Sequence, residues 1–286
     1  MHVANHTAAL AAACLLLAAP AARGEPVAVA HREGLAHGFI ALRSLDGETL
    51  ASGDLVQIPR GSRVTATLRF RFKDGSLREE TTVYTQRGSF HMVRNHIVQR
   101  GPAFKTQLDS TIEEDGRVTV RYSENGGEEK TIRERMKLPP DVANGLTLAV
   151  LKNLEGRSKK AKVSMVAITP KPRLVELELE AAGEERFGAA GVEHEATHWV
   201  IKVHVPGITG AIASVLGKIP PDSHVWVARG DAPTFVKAEL QLAFGGPTWR
   251  LELASPTWPP APPPAPQAPQ AADGREQPAD TGHGGG

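Results

Sequence analysis

His194-Glu195-Ala196-Thr197-His198-Trp199-Val200-Ile201-Lys202-Val203-His204 admits two readings that exclude each other. As a motif it is H-E-x-x-H, the zinc-peptidase signature: His194 and His198 would ligate zinc, His204 would be a third ligand and Glu195 the general base. As a periodicity it is a β-strand, with Trp199, Ile201, Val203 and Val205 on one face and His198, Val200, Lys202 and His204 on the other. Chelation by H-E-x-x-H needs a helix, which stacks residues four apart. On a strand rising about 3.3 Å per residue, His194 and His198 stand roughly 13 Å apart, against a Zn–N bond of about 2.0–2.1 Å. Val, Ile, Trp and Thr favour the strand, and Pro206-Gly207 ends it as a turn would. The three-histidine form also needs Gly where Ile201 stands, and a downstream Met, whereas the last methionine is Met165. Glu239 is available as a distant third ligand in the other zinc-peptidase plan. The strand is the preferred reading, with no cofactor expected. The zinc peptidase is kept as the alternative.

The two ends differ in kind from the body. Ala8 to Ala19 is an apolar run broken by Pro20, and Ala22-Arg23-Gly24 has small residues at signal-cleavage offsets. A signal peptide over residues 1–24 is expected, with export to a periplasm or the extracellular space. The single cysteine, Cys14, falls inside that run, so the processed chain would have neither disulfide nor thiol chemistry. No other apolar stretch is long enough to span a bilayer. From residue 259 to 286 the chain is rich in Pro, Ala and Gly and is expected to form a solvated tail. Net charge is +1, which offers no general attraction to nucleic acid.

The body, residues 25–258, reads as one mainly β domain. Val64 to Phe72 alternates without a fault, Lys73-Asp74-Gly75-Ser76 turns, and Leu77 to Gln86 returns. A two-residue Asp-Gly turn would set Phe72 opposite Leu77 and Arg69 opposite Glu80. Arg117 to Ser123 and Glu128 to Met136 make a second hairpin about Asn125-Gly126-Gly127. Pro139-Pro140-Asp141 opens a helix expected over about 140–154, with Gly156 as its cap. Strands follow at Lys162 to Ile168, Leu174 to Glu180 and the His198 segment. A short helix is expected at about 208–216, then strands at His224 to Ala228, Phe235 to Leu242 and Trp249 to Leu253. Glu176, Glu178 and Glu180 mark a solvent face. Short turns between successive strands imply an antiparallel meander: a curved sheet, half-barrel or sandwich.

Leu151-Lys152-Asn153-Leu154, Pro170-Lys171-Pro172-Arg173-Leu174, His224-Val225-Trp226 and Gly246-Pro247-Thr248-Trp249-Arg250-Leu251-Glu252-Leu253 resemble segments of a family of secreted bacterial proteins with no assigned function. The resemblance covers roughly residues 60 to 258 and implies no catalytic residues. The order of strand, short helix and three closing strands is also distantly similar to exported curved-sheet domains, some of which carry lipids. All four tryptophans lie in the last third; a buried core cluster is the first expectation for them, and lining an apolar groove the second, with Trp199, Trp226 and Trp249 the candidates for contact with an apolar or lipid-like ligand. The leading expectation is thus a non-enzymatic exported β-domain that binds such a molecule. A third reading is an envelope interaction protein acting through its surface and Pro-rich tail. The sequence contains no G-x-S-x-G elbow, no phosphate loop and no dinucleotide fingerprint.

Overall fold

The computed structural model describes residues 24–168, 171–189, 192–205 and 220–254. Nearly all of the expected leader, with Cys14, lies outside them, as do the helix expected at 208–216, Trp258 and the tail.

Fourteen strands form one antiparallel sheet. The first eight are β1 (Ala36–Arg43), β2 (Thr49–Arg60), β3 (Arg63–Phe72), β4 (Leu77–Arg87), β5 (Ser89–Arg100), β6 (Thr106–Glu113), β7 (Arg117–Glu124) and β8 (Lys130–Arg135). A helix, α1 (Thr147–Leu154), intervenes. The remaining strands are β9 (Lys160–Ala167), β10 (Arg173–Ala189), β11 (Val192–His204), β12 (Ser223–Ala228), β13 (Thr234–Gln241) and β14 (Thr248–Leu253). The order across the sheet is β8-β7-β6-β5-β4-β3-β2-β1-β14-β13-β12-β11-β10-β9. Two meanders are therefore joined where β1 pairs with β14, Ile40 opposite Leu253 and Leu42 opposite Leu251. The edges, β8 and β9, follow one another in the chain and do not pair, so the sheet is not closed.

The sheet curls about one face. Phe72 on β3 and Phe104 in the β5–β6 loop lie 5.4 and 6.1 Å from Trp249 on β14, ring centre to ring centre. Arg78 on β4 donates to the carbonyl of Leu242, beyond β13, at 3.1 Å. Inward side chains from both meanders and from α1 form a single apolar cluster on that concave face.

Three expectations change in detail. The β3–β4 turn has three residues, with Gly75 left-handed (φ +84°) and Phe72 N–H donating to Ser76 O at 2.9 Å. The extra residue slides the register by one, so Arg69 faces Glu79 and Arg71 faces Leu77. The helix starts at Thr147 rather than near 140. Residues 141–144 instead cover the β9 edge: Ala143 N–H donates to Ser164 O at 2.8 Å, and the Asn144 amide bonds both N–H and C=O of Val166. Gly145 (φ +67°) makes the bend, and a Cβ there would lie 1.9 Å from Thr82 Oγ1. Gly156 (φ +67°) follows the helix as expected. The strand expected at Leu174–Glu180 runs on to Ala189, past a register irregularity between Ala181 and Gly183. Beyond the reach of β9 and β12, β10 and β11 continue as a two-stranded ribbon.

Val192–His204 is a strand, with Trp199 and Ile201 buried and His204 exposed. The acidic face of β10 is met by side chains of its neighbours: Lys162 pairs with Glu176 (2.8 Å), Lys160 with Glu180 (3.1 Å), and His204 Nε2 lies 2.8 Å from Glu178.

Candidate functional site

The concave face combines apolar lining with polar groups that alternation alone directs inward. On β4, Arg78, Thr82, Tyr84 and Gln86 are buried. On β5 the register irregularity opposite Val83 and Tyr84 changes parity, so that Phe90 and Met92 point inward before it and Asn95 and Gln99 after it. Asn95 donates to Glu80 and to Thr82, both at 2.9 Å, and Arg78 reaches Glu80 at 3.4 Å.

Three polar atoms in this interior have no partner: Tyr84 OH, Asn95 Oδ1 and Trp199 Nε1. Burial, and then the Glu33 carboxylate, push the Tyr84 phenol far above its ordinary value, so it remains a neutral donor.

Helix α1 fills the concavity with Ala149, Val150, Leu151 and Leu154. Eight residues do not hold a helix in water, and Leu146 at its start supplies no side-chain cap. Burial of Val150, Leu151 and Leu154, at about 1.5–3 kcal/mol each, is what holds it. A strap, residues 24–34, fastens it from outside. Asn153 Oδ1 accepts from the N–H groups of Ala30 and His31 at 2.7 Å each. Lys152 pairs with the buried Glu33 at 2.7 Å, and Gln86 bonds both N–H and C=O of Glu33.

The candidate tryptophans do not gather in one groove. Trp199 and Trp249 lie in the inner cluster. Trp226 pairs directly with His198 on the opposite face and is nonetheless buried. There His198 stacks on its ring (4.4 Å, 2°), Lys237 Nζ stands 4.0 Å from the ring centre, and His224 Nδ1 is 2.9 Å from His198 Nε2. Glu185 lies 3.8 Å from His198 and 3.7 Å from Lys237, while Glu239 pairs with Arg250.

The zinc alternative meets a strand where it requires a helix. His194 stacks on Phe187 (5.4 Å), His198 meets His224, and His204 bonds Glu178. Glu195 faces Arg229 at 3.5 Å. The three histidines thus have separate neighbours, and among the described residues no group of three or more His, Cys, Asp or Glu is arranged for a metal. These residues do not fit a shared zinc ion.

Burial first, and His224 second, lower the His198 imidazole below the ordinary 6.5; Lys237 adds to this, while Glu185 and Glu239 oppose it. The unfolded chain therefore takes up the proton first. Stability is full above pH 6.5 and is lost as pH falls through the folded-state value. Denaturant midpoints from pH 8 to 5 should show this slope, and His198→Gln should flatten it. An unchanged slope in the variant would assign it to other groups.

Tyr84 was not legible as an inward residue, because the expected pairing of Phe72 with Leu77 puts it on the other face, and the three-residue turn reverses that. Nor was Asn95, because no strand is expected over 89–113 from the pattern alone. Two open depressions lie elsewhere: one of about 470 Å³ lined by Arg69, Arg71, Leu77, Glu79, Val98 and Arg100, and one of about 310 Å³ beside Gly24, Lys160 and Lys162.

No protein-family model matches the sequence, and no curated protein is significantly similar to it. Among solved structures, a beta-barrel-like protein of domain of unknown function DUF1849 from Brucella abortus is similar. It has 11% identity and a TM-score of 0.44, over 78% of this chain and 98% of that one. At those values the likeness bears on neither activity nor ligand.

Proposed function

We propose that this chain is an exported, non-enzymatic β-domain whose concave face holds an apolar or amphipathic molecule, with α1 filling that face when no ligand is bound. One observation carries the reading: Tyr84 OH, Asn95 Oδ1 and Trp199 Nε1 are buried and unpartnered on the face that also bears the apolar cluster. Each such group costs about 1–3 kcal/mol if nothing meets it. An apolar body with a polar end would answer both features. Export rests on the apolar run at Ala8–Ala19.

Native mass spectrometry of protein purified from an exporting host should show a heterogeneous excess in the lipid range. A fluorescent fatty acid should then bind the delipidated protein. Tyr84→Phe should weaken that binding about tenfold while leaving stability unchanged or slightly raised, since the lost hydroxyl has no partner in the free protein. A bare polypeptide mass together with no uptake of the probe would end this reading.

A further inference from the structure

Beside β9 lies a buried carboxylate that no cation among the described residues meets. Asp141 is 3% exposed. Its Oδ2 accepts from Ser164 Oγ at 2.9 Å, while its Oδ1 has no partner. Among the described residues no Lys, Arg or His forms an ion pair with it. The lysines that alternate with Ser164 on β9 are paired with β10, Lys162 with Glu176 and Lys160 with Glu178 and Glu180. A buried, uncompensated carboxylate is costly, and stable folds supply it with a counter-charge.

The feature pressed against it is the first described residue of the strap. A Cβ on Gly24 would lie 2.3 Å from Asp141 Oδ2 and 2.4 Å from Lys162 O. Its Cα is therefore within about 4 Å of the carboxylate, one bond from the α-nitrogen. No side chain fits there without displacing backbone. As an internal amide, that nitrogen offers one neutral N–H. As a free terminus it is an ammonium with three donors, able to meet the empty Oδ1.

We infer that Asp141 is the binding site for the chain's own new α-ammonium, created by proteolysis between residues 23 and 24, which leaves Gly24 first. The cut is a peptide hydrolysis: water adds across the C–N bond, leaving a carboxylate on the leader and an amine on the domain. That amine, protonated at neutral pH, closes the strap onto β9 and neutralises Asp141. Cleavage thus supplies the Asp141 carboxylate beside β9 with a counter-charge. The inference needs the processing event but no ligand, so it stands or falls apart from the carrier reading.

The test compares the full chain (1–286) with a chain beginning at Gly24 and a control beginning at Glu25, which lacks the residue pressed against Asp141, each with and without Asp141→Asn. In the Gly24 form, Asp141→Asn should raise the unfolding equilibrium constant about 10- to 100-fold at pH 7. In the full chain it should be neutral or stabilising. A partnered amine has its pKa raised above the unfolded value of about 7.7–8.0, so the added stability is full below that range and lost as pH rises through the folded value. If Asp141→Asn proves too unstable to compare, the acylation rate of the wild-type α-amine, followed on the N-terminal peptide by mass spectrometry, decides. Protection of tenfold or more over the unfolded chain supports the site. An unprotected amine, an equal effect of Asp141→Asn in all three chains, or an exported product beginning elsewhere than Gly24 would overturn it.

Discussion

Trp199→Ala is expected to destabilise the domain by about 3–5 kcal/mol, the range for emptying a buried aromatic site. Trp199 is 1% exposed and sits between Ala181 on β10 and Val225 on β12, with its ring in the inner cluster. For a body of this size the loss corresponds to a fall of about 10 °C in Tm. Trp199→Phe keeps most of the volume and removes an indole N–H that has no partner, so it should cost less than about 1.5 kcal/mol. Denaturant midpoints for the two variants give the comparison. A cost below about 1 kcal/mol for the alanine variant would mean that the ring lines open space rather than packing a core.

Arg78→Leu should cost about 3 kcal/mol. The guanidinium is buried, donates to Leu242 O across the concavity and faces Glu80 at 3.4 Å. Removing one member of a buried pair strands the other, and the usual penalty is about 3–5 kcal/mol. The lower end applies because the Glu80 side chain keeps 19% of its surface exposed and retains the Asn95 hydrogen bond. Arg78→Leu with Glu80→Gln should recover a large part of the loss, because no buried charge is then left alone. A double variant as unstable as the single one would place the energy in the Leu242 contact instead. That contact holds β4 to the end of β13, so its loss would loosen the curl of the sheet.

How much of this was legible depends on the range of the force involved. The strand at Val192–His204 followed from alternation, which is local: apolar side chains at every second residue must all face the core. The same rule found both hairpins and the three closing strands. It failed by one residue at Lys73-Asp74-Gly75, where Gly75 takes a left-handed conformation and adds a residue to the turn. It also overran the start of α1, because Pro139 to Asn144 carry good helix-start signals that are overridden by hydrogen bonds to β9, a partner visible only in three dimensions. Among the site residues, burial of the tryptophans was legible, while the place of Trp226 on the other face, beneath His198 and Lys237, was not.

The sequence by itself determined the β class, the antiparallel order of the strands it revealed and the face that a strand such as Val192–His204 presents, because these are set by period-two patterning and short turns. Only the tertiary structure decided that β1 would pair with β14, that β8 and β9 would be left as the edges and that α1 would fill the concavity between them. It also decided that Tyr84, Asn95, Trp199 and Asp141 would be left with unmet polar atoms. Those outcomes depend on which surfaces meet when distant segments curl together. The free energy of such meetings comes from burial and from pairing between residues far apart in the chain, on which local pattern has no purchase.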